Sequence, residues 1–181
     1  MLGHGAGGGI GSADLVAIAR ALPQRGVAVV RVESPWRLAG RRVATPPATL
    51  DAAWVAVLAE LALPGPVVVG GRSAGARVAC RTAGQVGAAG VVALAFPLHP
   101  PGRPERSRLG ELLGAGVPTL VVQGERDAFG GPDRFPPGTE LASIPFADHS
   151  FRVPAAVRAA GADPIAAVVG AVAGWLDRLL P

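Results

Sequence analysis

The sequence predicts an α/β fold, a mostly parallel sheet with helices on both faces, built as a single domain over residues 1–181. Three observations carry that expectation. Short apolar runs alternate with longer stretches of helical periodicity, which is how a parallel sheet covered on both faces reads in sequence. The apolar run Val67-Val68-Val69 leads into Gly71-Arg72-Ser73-Ala74-Gly75 and then into a helix-compatible stretch. Asp127 and His149 each follow a later strand candidate, at the sheet end where open α/β folds bind ligands.

Taken in order, Ser12 can cap a helix whose apolar face is Leu15, Val16, Ile18, Ala19 and Leu22, ended by Gly26. Val27 to Val32 reads as the next strand. A second helix carries Leu50, Ala53, Trp54, Val57, Leu58 and Leu61 on one side, and Pro64-Gly65-Pro66 breaks it. The Val67 strand, the glycine-flanked serine and a helix to about Ala83 follow. Val91 to Ala95 is a strand, succeeded by a proline-rich loop to Pro104 and a short helix near Leu109 to Leu113. Val117 to Gln123 reads as a buried strand, and Glu140 to Ile144 as a weaker one. The last helix, Pro164 to Leu179, has 3.6-residue spacing in Ile165, Val168, Val169, Val172, Trp175, Leu176 and Leu179.

Composition narrows the function classes. Half of the residues are apolar and 17% are charged, as in a globular chain. There is no lysine, asparagine or tyrosine, so all 17 basic residues are arginine. The high pI of about 11.1 reflects that replacement more than the modest net charge of +4. The arginines are scattered, Arg41-Arg42 being the one adjacent pair, and aromatics are 4%, which argues against a nucleic-acid partner. Cys80 is the lone cysteine and reads as a small core residue, with no disulfide and no cysteine-rich metal site. The apolar stretch Ile165 to Leu180 is too short to span a membrane and carries Asp177 and Arg178. The expectation is a cytoplasmic protein that uses no membrane, metal or cofactor; its oligomeric state is not legible.

Gly-x-Ser-x-Gly carries little information by itself in a chain with 26 glycines. A strand ahead of it makes it a nucleophile elbow, a tight strand-to-helix turn that exposes the serine. A serine hydroxyl is a poor nucleophile at neutral pH and needs a base within hydrogen-bond reach. That base needs a carboxylate to fix its tautomer. His149 and Asp127 supply the two, in the chain order Ser, Asp, His, with Glu125 an alternative acid. His99 follows the Val91 strand at the same sheet end and is a pocket candidate; between prolines, it is also placed to stiffen its loop. Arg72, beside the serine, is a candidate for a salt bridge or for holding a substrate carboxylate.

The segments His4 to Gly9, Gly70 to Arg77, Phe96-Pro97-Leu98-His99-Pro100-Pro101-Gly102-Arg103-Pro104-Glu105, Gln123 to Gly130 and Asp148 to Phe151 resemble one family of small α/β-hydrolases. That family is related to dienelactone hydrolases and includes the hydrolase-like domain of the chromatin NSL-complex subunit and a testis-expressed protein. The resemblance covers nearly the whole chain. It implies the α/β-hydrolase fold, a triad of Ser73, Asp127 and His149, and hydrolysis of a small-molecule acyl substrate such as an ester or thioester. It also implies an oxyanion hole from the loop His4-Gly5-Ala6-Gly7-Gly8-Gly9 and the residue after the serine. Ala6 and Ala74 are the candidate donors, and His4 is a pocket candidate.

The start of the chain departs from that pattern. The oxyanion loop of the family follows a full strand near the middle of the sheet, whereas only Met1-Leu2-Gly3 precede His4. Neighbouring strands would lose ladder partners, at about 1–3 kcal/mol for each unsatisfied buried group. The expectation is therefore an N-terminally truncated domain, with the protein beginning upstream or a partner chain donating the strand. Two other functions remain open. One is a catalytically silent hydrolase-like scaffold. The other is a dinucleotide-binding protein, since Gly3-His4-Gly5-Ala6-Gly7-Gly8 matches Gly-x-Gly-x-x-Gly and Glu33 ends the following strand.

Overall fold

Six strands carry the structure: β1 (Leu2–Gly3), β2 (Arg31–Val32), β3 (Val68–Arg72), β4 (Gly90–Leu94), β5 (Thr119–Gly124) and β6 (Leu141–Ile144). In the computed structural model, which describes residues 1–41 and 45–180, they form one parallel sheet in the order β2-β1-β3-β4-β5-β6. Arg42 of the Arg41-Arg42 pair lies outside the described residues. The helices are α1 (Ala13–Ala21), α2 (Pro35–Leu38), α3 (Pro47–Leu61), α4 (Ala74–Thr82), α5 (Leu109–Leu113), α6 (Ala155–Ala159) and α7 (Pro164–Leu179).

Side chains alternate across a strand, so the sheet sorts its residues into two cores. Val69, Val91, Ala93 and Val121 pack on one face with Trp36, Trp54, Ala79 and Cys80. Val92, Leu94, Leu120 and Val122 pack on the other with Leu15, Ile18, Val168 and Trp175. Each fully buried Leu or Val contributes about 1.5–3 kcal/mol relative to exposure. Cys80 belongs to the first core, where burial and then Glu111 push its thiol up to about 12, so it stays protonated.

The sequence expectations hold for α5, α7 and the long strands and fail in instructive places. Only Arg31–Val32 of the expected Val27–Val32 strand is paired, because β1 is its one neighbour: Leu2 aligns with Arg31 and Gly3 with Val32. Ser12 occupies the N-cap position of α1, yet its side chain makes no capping bond. Leu22 starts a 3-10 turn that Gly26 ends at φ 77°. Leu61, at the end of α3, is 40% exposed instead of joining the core. The short helices α2 and α6 carry too few residues to show a period.

Short as it is, β1 is paired on both sides. The Met1 carbonyl accepts from Gly70 N–H at 2.9 Å, Leu2 N–H donates to Val30 at 2.8 Å, and the Met1 ammonium donates to the Val68 carbonyl at 2.6 Å. Its approach to the next layer depends on glycine. A Cβ on Gly71 or on Gly75 would strike the Gly3 carbonyl oxygen, and a Cβ on Gly3 would lie 3.3 Å from Gly75 Cα and 3.1 Å from the Trp54 ring.

Gly75→Ala is therefore expected to lower stability by about 1–3 kcal/mol or more through backbone overpacking. Gly84→Ala, where an added Cβ meets nothing within 4 Å, is the control in the same urea titration. Equal midpoints for the two variants would contradict the close approach.

Burial pulls the Met1 ammonium down from 8.0 to about 6. Between those values the unfolded chain binds more protons than the folded one, so stability rises with pH across that window. The contribution is complete above pH 8, is lost as pH falls through 6, and amounts to roughly 3 kcal/mol at about 1.4 kcal/mol per pKa unit. Urea unfolding of a chain with a free Met1 amino group at pH 6 and pH 8 measures it, and N-acetylation should flatten the dependence.

Candidate active site

β3 delivers Ser73 into the turn before α4. Ser73 adopts φ 53° and ψ −108°, a conformation that costs a non-glycine residue about 1–3 kcal/mol. Its backbone is held on both sides: its N–H donates to Leu94 at 2.9 Å, and its carbonyl accepts from Arg77 at 3.2 Å as α4 begins. The turn leaves the hydroxyl facing a cleft of about 1040 Å³.

Asp127 lies in the turn after β5, and its side chain is fully buried. Its Oδ1 accepts Phe129 N–H at 2.8 Å, and its Oδ2 accepts the Gln123 amide at 2.9 Å. Gln123 Nε2 also donates to the Gly130 carbonyl at 2.7 Å. Two acceptors facing one amide nitrogen fix its orientation, since a flipped amide would oppose oxygen to oxygen. The acid is thus oriented before any ligand arrives.

His149 lies in the loop beyond β6, shaped by Asp148 Oδ1 accepting the N–H groups of Ser150 and Arg152 at 2.7 and 2.9 Å. His149 Nδ1 is 2.8 Å from Asp127 Oδ2, and Nε2 is 2.9 Å from Ser73 Oγ. A carboxylate accepts only, so Nδ1 carries the proton and Nε2 is left free to accept from the serine. The Phe129 ring lies over the imidazole, centroid to centroid 4.1 Å. Arg72 braces the same loop, donating to the His149 carbonyl at 2.9 Å and to Ser150 Oγ at 2.8 Å. Its Nε stands 3.6 Å from the buried Asp14 carboxylate.

The Ala6 and Ala74 N–H groups face no acceptor among the described residues, and both residues line the cleft beside Ser73. Gly5 lets this loop pass the elbow: a Cβ there would lie 3.3 Å from Ser73 Cβ.

The whole chain matches known proteins in fold. An alpha/beta hydrolase domain model matches residues 1–177. The chain belongs to the alpha/beta hydrolase family. No curated protein matches it. Among solved structures, a serine hydrolase without lid from Xanthomonas campestris has a TM-score of 0.70 at 21% identity, over 99% of this chain and 82% of that one. The esterase domain of a Rhodothermus marinus protein has a TM-score of 0.67 at 17% identity, over 98% and 85%. A serine hydrolase homologue from Coxiella burnetii has a TM-score of 0.64 at 17% identity, over 82% and 76%. These likenesses describe the hydrolase fold.

Within this hydrolase domain, Ser73, His149, Ala6, Ala74 and Arg72 line one cleft and Asp127 lies buried behind His149, while His4, His99 and Glu125 stay outside it. His4 is 1% exposed and lines a separate cavity of about 130 Å³. Its Nδ1 is 2.8 Å from the Gly5 carbonyl and its ring packs edge-on against Trp36, so it holds the glycine loop from behind. Ser34 N–H and Glu33 Oε1 compete for its Nε2, at 3.0 and 2.5 Å; the neutral ring accepts the first, the imidazolium donates to the second. Glu33, the ribose ligand of a dinucleotide reading, is thereby engaged with His4 and Arg37. His99 also lies outside the cleft: its N–H donates to Phe129 at 3.0 Å and its Nδ1 meets the Pro100 carbonyl at 3.0 Å, tying the proline loop to the acid loop. Glu125 turns away to accept Phe146 N–H at 2.9 Å.

Sequence reasoning missed Asp14 and Phe129. Asp14 sits in no recognisable motif, Phe129 lies within the Gln123 to Gly130 segment without being singled out there, and both contact residues distant in sequence. Among the described residues no helix is long and apolar enough to cross a membrane, and no group of three His, Cys, Asp or Glu could hold a metal.

The proton held between His149 Nδ1 and Asp127 is expected to give a downfield resonance, lost in Asp127→Asn. Gln123→Ala should cost about 1–3 kcal/mol by leaving buried acceptors unpaired, measured by urea unfolding. An unchanged midpoint would show that Gln123 does not hold the acid.

Proposed function

We propose that this protein is a serine hydrolase that cleaves ester, thioester or similar acyl bonds. The observation that carries it is the continuous line from Ser73 Oγ through His149, at 2.9 Å, to Asp127, at 2.8 Å, with the serine in a strained turn. Ser73 Oγ attacks the carbonyl carbon while His149 Nε2 takes its proton. Asp127 holds the Nδ1–H tautomer and stabilises the imidazolium. The Ala6 and Ala74 N–H groups donate to the oxyanion, and the N-terminus of α4 adds a favourable dipole. The tetrahedral intermediate collapses as His149 protonates the leaving alcohol or thiol. Water, deprotonated by the same histidine, then releases the acid and restores Ser73. The chemistry needs no cofactor. The Phe96–Glu105 segment supports placing the chain among the small hydrolases related to dienelactone hydrolases.

Fluorophosphonate labelling of the chain and of Ser73→Ala is the direct test. Labelling confined to the unsubstituted chain is expected; a folded chain that stays unlabelled would falsify the assignment and favour a silent scaffold. In ester hydrolysis, Asp127→Asn should lower kcat by roughly 10³–10⁴. Ala6→Pro, which removes one oxyanion donor, should lower it by roughly 10²–10³.

A further inference from the structure

Five arginines line the cleft around Ser73: Arg72, Arg77, Arg108, Arg152 and Arg158. Two aspartates line it with them, so arginines outnumber acids there. Asp14 faces Arg72, and Asp163 caps α7 by accepting Ala166 N–H at 3.0 Å.

Arg152 and Arg158 are exposed, whereas Arg77 and Arg108 are partly buried in the wall of the cleft. Arg77 takes Glu111 in a two-pronged contact at 2.8 and 2.5 Å, Arg81 shares that carboxylate at 2.7 Å, and Arg81 pairs also with Asp51. Burial would raise Glu111, yet the Arg77 and Arg81 bonds hold it below its ordinary value, so both acids are fully committed. Arg108 stands beside this cluster, half-buried, with no carboxylate paired to it among the described residues. Its Nη1 donates to the Pro97 carbonyl at 3.1 Å and the rest of its fork has no acceptor. Burial and the neighbouring Arg77 charge lower its pKa from the ordinary value, a repulsion that an anion in the cleft would relieve.

We propose that the cleft selects esters whose acyl chain ends in a second, anionic group, and that Arg108 receives that anion. This rests on the hydrolase reading above and assigns its substrate class. Arg108 and Ser73 line the same cleft, so the anion is sought on the acyl chain itself, a short way from the scissile carbonyl. A guanidinium fork suits either a carboxylate or a phosphate-like group.

The experiment compares kcat/KM for monoethyl glutarate, ethyl 4-phosphonobutanoate and the neutral ethyl pentanoate, in the unsubstituted protein, Arg108→Gln and Arg108→Lys. At least one anionic ester is expected to exceed the neutral one by about tenfold or more, through KM, with the advantage shrinking as salt is added. Which anion gains identifies the group recognised. Arg108→Gln should reduce the anionic-to-neutral ratio about tenfold, and Arg108→Lys should restore part of it. No anionic preference, or a ratio unchanged in Arg108→Gln, overturns the proposal. Should Arg108→Gln not fold, protection of Ser73 from fluorophosphonate by glutarate but not by glutaramide decides in the unsubstituted protein; equal protection overturns it. Labelled Ser73 without anionic preference sinks the substrate class alone, whereas no labelling and no ester cleavage sinks the hydrolase reading with it.

Discussion

The contact on which the rest depends is the passage of the β1 backbone against the elbow. The Gly3 carbonyl fits where Cβ atoms on Gly71 and Gly75 would otherwise stand. That approach lets β1 pair with β3, so that Gly3 aligns with Gly71, and it sends the following loop across Ser73. Ala6 and Ala74 consequently arrive on the same cleft from strands separated by some seventy residues of chain. The glycines flanking the serine are required by packing at this point as much as by the turn.

A second close approach serves the other half of the site. A Cβ on Gly124 would strike the Ala147 carbonyl, so β5 and the histidine loop meet directly. Arg126 N–H donates to that same carbonyl at 2.9 Å. Asp127 and His149 are therefore placed by backbone contact, and their side chains need only small adjustments to bond. Gln123, Arg72 and Phe129 then limit those adjustments, which is how a site stays oriented without a ligand.

Charge is managed very unevenly across the molecule. Arg81 lies deep between Asp51 and Glu111; burial lowers its pKa, and the two carboxylates more than reverse that. Arg108 feels Glu111 from a distance but is ion-paired with no carboxylate among the described residues. With no lysine in the chain, every cation brings a planar fork, which favours shared carboxylates and directional anion contacts over diffuse attraction.

Local rules made much of the molecule legible in advance. Apolar periodicity located α7, apolar runs located β4 and β5, and the order of Ser73, Asp127 and His149 after strand ends pointed to one sheet edge. Strand β2 was overestimated because a strand's length is set by its neighbour, which the sequence of the segment does not contain. His4 and His99 were pocket candidates from their place in the oxyanion loop and at the triad's sheet end; His4 instead lines a separate cavity, and His99 stiffens its loop as its flanking prolines suggested, because a side chain's direction depends on which layer its loop packs against. Asp14 had no motif, and Phe129 was not singled out within the acid-loop segment; they matter because they touch residues far along the chain. The sequence by itself determined the alternation of elements, the glycines that permit the elbow and the chemical types of the three central residues. Only the tertiary structure decided which charges are neutralised and which histidines face the cleft, because both depend on contacts between segments that no local pattern encodes.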